Sequence, residues 1–230
     1  MEKTNPIIKL KDVTKIYQRS GGETIALHNA SFEAFASELV LLLGPSGSGK
    51  TTMLTIMAGL QRPTSGDVFL FGRQFYEYSS KNLQQIRASK MGFIFQTFCL
   101  LDSISVIDNV MLSLKFAGIP KDLARQKAIE FLDRLEIKHL MNVLPVTLSQ
   151  GEKQRVAVAR ALVTGAELII ADEPTGSLAT QQGMQIVDFL NRSCKTESRC
   201  VIIASHDERI SKYADRVMHL RDGILGNGNL

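Results

Sequence analysis

Residues 44–51 read Gly-Pro-Ser-Gly-Ser-Gly-Lys-Thr, and the apolar run Leu39-Val40-Leu41-Leu42-Leu43 leads straight into them. Strand, glycine loop, lysine and helix start, in that order, constrain the fold more than any other feature here, because together they build a site for a triphosphate. Gly44, Gly47 and Gly49 let the backbone turn its N–H groups toward phosphate, with Pro45, Ser46 and Ser48 completing the loop. Lys50 reaches the β- and γ-phosphates as a point charge; the Thr51 hydroxyl suits Mg²⁺, and Thr52 follows it into the helix. Met53, Leu54, Ile56, Met57 and Leu60 then recur at helical spacing, which puts a helix N-terminus against the anion.

A second element is Leu168-Ile169-Ile170-Ala171-Asp172-Glu173. Four apolar residues describe a strand buried on both faces, ending in two carboxylates at its C-terminal edge, where open α/β sheets bind ligands. Asp172 is expected to hold Mg²⁺, directly or through water. Glu173, one residue on, faces the γ-phosphate, where a carboxylate can orient and deprotonate a water. A third element is Leu148-Ser149-Gln150-Gly151-Glu152, before a helix at 153–163. Ser149 and Glu152 have the spacing of a capping box. With Gly151, the same helix start is an anion site. Residues 44–51 already account for the chain's own phosphates, so this one points to ATP held by a second molecule.

The remaining pattern supplies the frame. Ile8 and Leu10 alternate with Lys9 and Lys11 as in a half-exposed strand, and a second strand is expected at 24–27 or 31–35, after the turn signal at 20–22. A short strand at 67–71 follows. Helical spacing then covers Leu83/Ile86/Arg87, 106–116 and 123–135, interrupted by an apolar strand at 91–95. Near Glu167 the β/α rhythm returns, with a helix at 181–191 and strands at 200–204 and 216–220, the last closed by the turn Asp222-Gly223. The expected fold class is α/β. A P-loop NTPase core with a mainly parallel sheet carries an N-terminal antiparallel β subdomain and an inserted helical subdomain. Residues 1–230 form one domain, with 1–96 and 161–230 as core and 97–160 as the helical insertion.

Composition excludes several classes. With 230 residues and 44% hydrophobic content, a large core is available. The longest apolar runs are far too short to cross a bilayer, and the first residues carry no stretch suited to export. The expectation is a cytosolic chain that holds a membrane only through a partner, without inserting into it. A net charge of +4 without a dense basic tract gives no case for nucleic acid. Cys99, Cys194 and Cys200 lack zinc spacing and are expected to be reduced and mostly buried.

The phosphate loop, Gln96 after a strand, Leu-Ser-Gln-Gly-Glu, the Asp-Glu strand and His206 in Ala-Ser-His-Asp together resemble the nucleotide-binding subunit of an ABC transporter, over nearly the whole chain. Within that superfamily the chain is most similar to the lipoprotein-release and macrolide-export (LolD/MacB) type, through Pro63-Thr64-Ser65-Gly66, Gly92-Phe93-Ile94-Phe95-Gln96, Ala159-Arg160-Ala161-Leu162-Val163 and Ala171-Asp172-Glu173-Pro174-Thr175-Gly176. The resemblance implies that Tyr17 stacks on adenine, that Gln96 contacts Mg²⁺ or water and links to the helical subdomain, and that His206 is the switch histidine at the γ-phosphate. It implies that Ser149 and Gly151 contact ATP on the opposite protomer of a head-to-tail dimer. It also implies a membrane permease as partner, docked on an exposed apolar surface around 97–105 (Phe98, Leu100, Leu101), and a place on the cytoplasmic side of the inner membrane. Two residues depart from the family pattern: Gln150 replaces a usual glycine, and Ala179 ends the loop after Glu173 where Asp is usual, removing a polar contact across the dimer. The alternative reading is an FtsE-like ATPase that signals through a membrane partner to cell-wall hydrolases without transport.

Overall fold

In the computed structural model, which describes residues 5–19, 22–176, 178 and 180–227, the N-terminal alternation becomes a long strand, β1 (Ile8–Arg19). Its Ile8, Leu10 and Val13 are buried and Lys11 is exposed. β1 pairs antiparallel with β2 (Gly22–Ala34). The two candidates for a second strand, 24–27 and 31–35, are therefore parts of one strand. Register shifts along β1/β2 and left-handed backbone at Asp12 and Asn29 (φ 50° and 46°) disturb the alternation without ending the pairing. Of the expected turn at 20–22, Ser20 and Gly21 lie outside the described residues, as do Ser177 and Ala179 in the loop after Glu173.

Next come β3 (Leu39–Leu43), α1 (Lys50–Met57), β4 (Ser65–Leu70), β5 (Arg73–Gln74), α2 (Ser80–Lys90) and β6 (Met91–Ile94). β4 and β5 complete an antiparallel sheet in the order β2-β1-β4-β5. Leu60, expected on the buried face of the helix after the phosphate loop, lies past the end of α1 and is 54% exposed. The left-handed Gly59 turns the chain away before Leu60 can reach the core.

Three helices, α3 (Val106–Phe116), α4 (Lys121–Arg134) and α5 (Gln150–Leu162), separate β6 from β7 (Leu168–Asp172). A boundary at 160 thus falls inside α5. Then follow α6 (Thr180–Thr196), β8 (Cys200–Ser205), β9 (Arg216–Arg221) and β10 (Ile224–Asn227). The pattern marks only the turn before β10; the strand itself shows after folding, as the antiparallel edge on β9. The second sheet runs β10-β9-β3-β8-β7-β6, with every pair from β9 to β6 parallel.

The position of β3 explains its unbroken apolar run. Side chains alternate across the sheet, so Leu39, Leu41 and Leu43 enter one core with α3, α4, α5 and α6, while Val40 and Leu42 enter another with α1 and the antiparallel sheet. Both faces are covered, and each of the five is at most 7% exposed. Burial of such a side chain is worth about 1.5–3 kcal/mol, so the strand that presents the phosphate loop is among the most firmly held parts of the chain.

Candidate active site

Four adjacent parallel strands deliver the site. β3 ends in the phosphate loop, β8 in Ser205 and His206, β7 in Asp172 and Glu173, and β6 runs two residues on to Gln96. One cavity of about 410 Å³ is lined by Tyr17, Ser46, Gly47, Gly49, Lys50, Thr51, Thr52, Gln96, Asp172, Glu173 and His206. Apart from Gly44, Pro45 and Ser48 of the loop, the residues expected to handle a nucleotide within one chain thus line one cavity, with Tyr17 reaching it from β1 of the antiparallel sheet.

The loop's glycines answer to different constraints. Gly49 caps α1 at φ +106°, and a Cβ there would sit 2.2 Å from the Ala26 carbonyl oxygen, so both conformation and space require glycine. Gly44 has no such φ. Its Cβ would stand 2.1 Å from the Leu220 carbonyl oxygen, which makes close approach of β9 the reason for glycine there. Lys50 is 6% exposed and donates to the carbonyls of Gly44 (2.8 Å) and Pro45 (2.9 Å), with the Glu173 carboxylate at 3.8 Å. The Ser48 hydroxyl is buried with no hydrogen-bond partner. A buried ammonium, an unpaired donor and a helix start without acidic residues in its first turn suit an anion.

Thr51 Oγ1 donates to Asp172 Oδ2 at 2.8 Å, across 121 residues of sequence. Burial pushes the Asp172 carboxyl above the usual carboxylate range, more than the Thr51 hydrogen bond and Lys50 pull it down. A hydroxyl beside a dehydrated carboxylate is a hard-oxygen pair suited to a divalent cation. Among the described residues no group of three or more His, Cys, Asp or Glu side chains would hold a metal alone, so a cation here fits together with phosphate oxygens.

Glu173 sits at φ 47°, an unusual conformation for a non-glycine residue, and its side chain is held on three sides. Ser205 Oγ donates to Oε2 (3.1 Å), His206 Nδ1 lies 3.0 Å from Oε1, and Lys50 faces the same oxygen. Sequence reasoning missed Ser205; its place beside His206 at a strand's C-terminal end was the available signal. It also missed Gln61, whose Oε1 accepts a 2.8 Å hydrogen bond from the Tyr17 hydroxyl and so fixes the ring's orientation. Nothing in sequence marks that pair, 44 residues apart.

Ser149, Gly151 and Glu152 lie elsewhere, lining a separate cavity of about 160 Å³ with Leu178 and Gln182. The capping box forms in full. The Ser149 amide and hydroxyl both donate to Glu152 Oε2 (2.8 and 2.7 Å), and the Glu152 amide donates back to Ser149 Oγ. Those bonds hold the Glu152 carboxyl below its usual range. Gln150 is exposed at the helix start.

Of the three apolar residues expected to form the docking surface after Gln96, only Leu101 is plainly exposed, at 47%. Phe98 is half-buried, and Leu100 packs against the core that α3, α4 and α5 share with the sheet. Cys99, expected among mostly buried thiols, is exposed, whereas Cys194 and Cys200 are buried.

The fold and this cavity define a P-loop nucleotide-hydrolysing module. Residues 27–176 match the family model described as ABC transporter. The chain is 35% identical over 96% of its length to the macrolide export ATP-binding/permease protein MacB of Agrobacterium fabrum, and spans 34% of that protein. It is 35% identical to the lipoprotein-releasing system ATP-binding protein LolD 2 of Caulobacter vibrioides (96% of this chain, 97% of that one). It is 37% identical to HrtA of Staphylococcus epidermidis, a protein named for hemin import (95% and 98%). The chain thus spans about a third of the ATP-binding/permease relative and nearly all of the separate ATP-binding proteins. A solved dimeric structure of the ATP-binding cassette MJ0796, bound to ADP and Pi, superposes with a TM-score of 0.89 at 34% identity, covering 96% of this chain and 98% of that one. The chain belongs to the ABC transporter family, as an ATPase of the LolD/MacB type.

Proposed function

We propose that this chain drives a membrane permease by closing head to tail on a second copy, with ATP and Mg²⁺ sandwiched at two shared sites. The observation that carries this reading is the separation of the site into two cavities. Tyr17, the phosphate loop, Gln96, Asp172, Glu173 and His206 share one, while Ser149, Gly151 and Glu152 line another. A helix start with a cavity of its own, away from the chain's phosphate loop, fits a nucleotide held by a second copy.

In this reading Tyr17, pinned through its hydroxyl, offers its ring to adenine, and residues 44–52 hold the phosphates. Thr51, Asp172 and Gln96 hold Mg²⁺, which when bound neutralises charge on the β- and γ-phosphates. Glu173, oriented by Ser205 and His206, takes a proton from water attacking the γ-phosphate. Ser149 and Gly151 contact the partner's γ-phosphate. The permease docks near Leu101 and the helices α3–α5, which holds the chain at the cytoplasmic side of the inner membrane. Among the described residues no helix is long and apolar enough to cross a membrane. The names LolD and MacB support export or extraction of a lipoprotein, lipid or drug-like cargo; HrtA's name keeps hemin as a further class to assay. The cell-division alternative draws no support from these relatives.

The test mixes two disabled chains. Ser149→Arg blocks the surface offered to a partner, and Lys50→Ala removes the charge facing the phosphates. Each alone should hydrolyse ATP poorly, and equal mixtures should exceed either, because one intact composite site forms per heterodimer. Mixtures that never exceed the single variants, over a range of concentrations, overturn the head-to-tail arrangement.

A further inference from the structure

Consecutive residues of β1 are tied, one by one, to the turn that follows α1. The Thr14 carbonyl accepts from the Thr64 amide (2.8 Å), and Lys15 Nζ donates to the Arg62 carbonyl (2.9 Å). The Ile16 amide donates to Thr64 Oγ1 (3.0 Å), and the Tyr17 hydroxyl donates to Gln61 Oε1 (2.8 Å). The turn is itself anchored on the helix. Past Gly59 the chain folds back, so that the Leu60 and Gln61 amides both reach the Thr55 carbonyl (3.0 and 3.2 Å). Thr55 Oγ1 stands 3.2 Å from Gln61 Oε1, and Thr52 Oγ1 lies 3.4 Å from the Tyr17 hydroxyl.

The two faces of the Tyr17 ring differ. Tyr17 lines the ATP cavity together with Thr24 and Ile25. Lys15 Nζ lies over the same ring, 5.2 Å from its centre, yet neither Lys15 nor Gln61 nor Arg62 lines that cavity. The ammonium therefore takes the face turned away from the cavity, where a cation is attracted by the ring's electrons. With the hydroxyl held by Gln61 and the far face covered by Lys15, the face toward the cavity is the one left for a base.

We infer that Gln61 and Lys15 are positioning residues for the nucleotide's base: they hold the Tyr17 ring so that its cavity face receives the purine, at a distance from the phosphate loop set by α1. The inference rests on the adenine role proposed for Tyr17. α1 starts at Lys50, which faces the phosphates, and the turn past its other end carries Gln61. Base platform and phosphate loop are thus fastened to one helix, and a nucleotide meets both without first ordering the ring.

The experiment compares, on the full chain, affinity for ATP with affinity for inorganic tripolyphosphate, a probe that carries phosphates and no base. Gln61→Leu and Lys15→Met should each weaken ATP binding about five-fold, the scale of one hydrogen bond or one cation–ring contact, and leave tripolyphosphate within about two-fold of wild type. KM for ATP should rise by a similar factor while kcat is kept. Gln61→Glu, which keeps the acceptor, should hold ATP affinity within about two-fold of wild type. In a Tyr17→Phe chain, which lacks the hydroxyl, adding Gln61→Leu should cost nothing more, because the second change acts through the first. ATP and tripolyphosphate affinities that fall together assign these contacts to the helix and not to the base, and overturn the inference. Wild-type ATP affinity in both variants, beside a Tyr17→Ala chain that loses it, overturns the inference alone. If Gln61→Leu fails to fold, Lys15→Met decides it. A Tyr17→Ala chain with wild-type ATP affinity instead defeats the adenine role itself, and the inference falls with it.

Discussion

The buried Gln154 side chain of α5 donates a 2.8 Å hydrogen bond to the carbonyl of Pro174, one residue past Glu173. The helix that starts at the Ser149 cap is thereby tied to the backbone that carries the carboxylate facing Lys50. Gln154→Leu keeps the volume and leaves the Pro174 carbonyl without that donor. Stability should fall by about 1–3 kcal/mol, read as a lower urea midpoint with an unchanged slope. A midpoint equal to wild type would show that water replaces the bond at no cost.

Glu173→Gln keeps a side chain of the same shape between Ser205 and His206 and removes its basicity. ATP binding should persist, while turnover falls by at least ~10²-fold, the scale of a general base. Phosphate release and equilibrium titration, measured together, separate the two. Turnover within a few-fold of wild type assigns the proton elsewhere.

Asp172 gives a prediction in pH. Its carboxyl is raised in the folded chain, so between the ordinary value of 3.8 and the raised one the folded state binds more protons than the unfolded. Stability without nucleotide therefore declines as pH rises through that window. Asp172→Asn can still accept from Thr51 and carries no charge. It should raise the melting temperature at neutral pH and leave it unchanged below pH 3.8. Mg²⁺-dependent ATP binding should weaken in the same variant, and in the wild type it should begin to fail on acidification above the usual carboxylate range. A neutral-pH melting temperature that drops in Asp172→Asn contradicts the sign.

The thiols should divide one against two. Cys194 is buried with its pKa pushed up to about 11 by burial, and burial pushes the Cys200 thiol up as well, whereas Cys99 is exposed. A thiol reagent at pH 8 should modify Cys99 alone in the native chain and all three after denaturation. Mass spectrometry of the labelled peptides checks it, and rapid native labelling of Cys200 would rule out the β8 burial described here.

What was legible in the sequence follows the range of the interactions concerned. The phosphate loop, the carboxylates after Ala171 and the Ser149–Glu152 box are each built from a few consecutive residues, so their chemistry could be read in place. For β2 the pattern offers 24–27 or 31–35 but not the whole strand, because register shifts against β1 break the alternation on which a strand is recognised. Leu60 reads as part of a buried helical face because its spacing fits a helix that Gly59 has already ended. The Ser205–Glu173 and Tyr17–Gln61 bonds are products of the folded sheet edge, and β10 exists only as a partner for β9. The packing of Leu100 likewise depends on α3 and α5, elements that follow it in the chain.

Strands β6 and β7 lie side by side, yet the chain between them carries three helices where a parallel crossover needs only one. Those helices share a core with one face of the sheet, while the other face is closed by α1 and the antiparallel strands. Length and sequence can therefore drift within this crossover while the strands on either side of the phosphate loop keep their neighbours. The strands that present the phosphate loop are thereby insulated from changes of length within that one crossover.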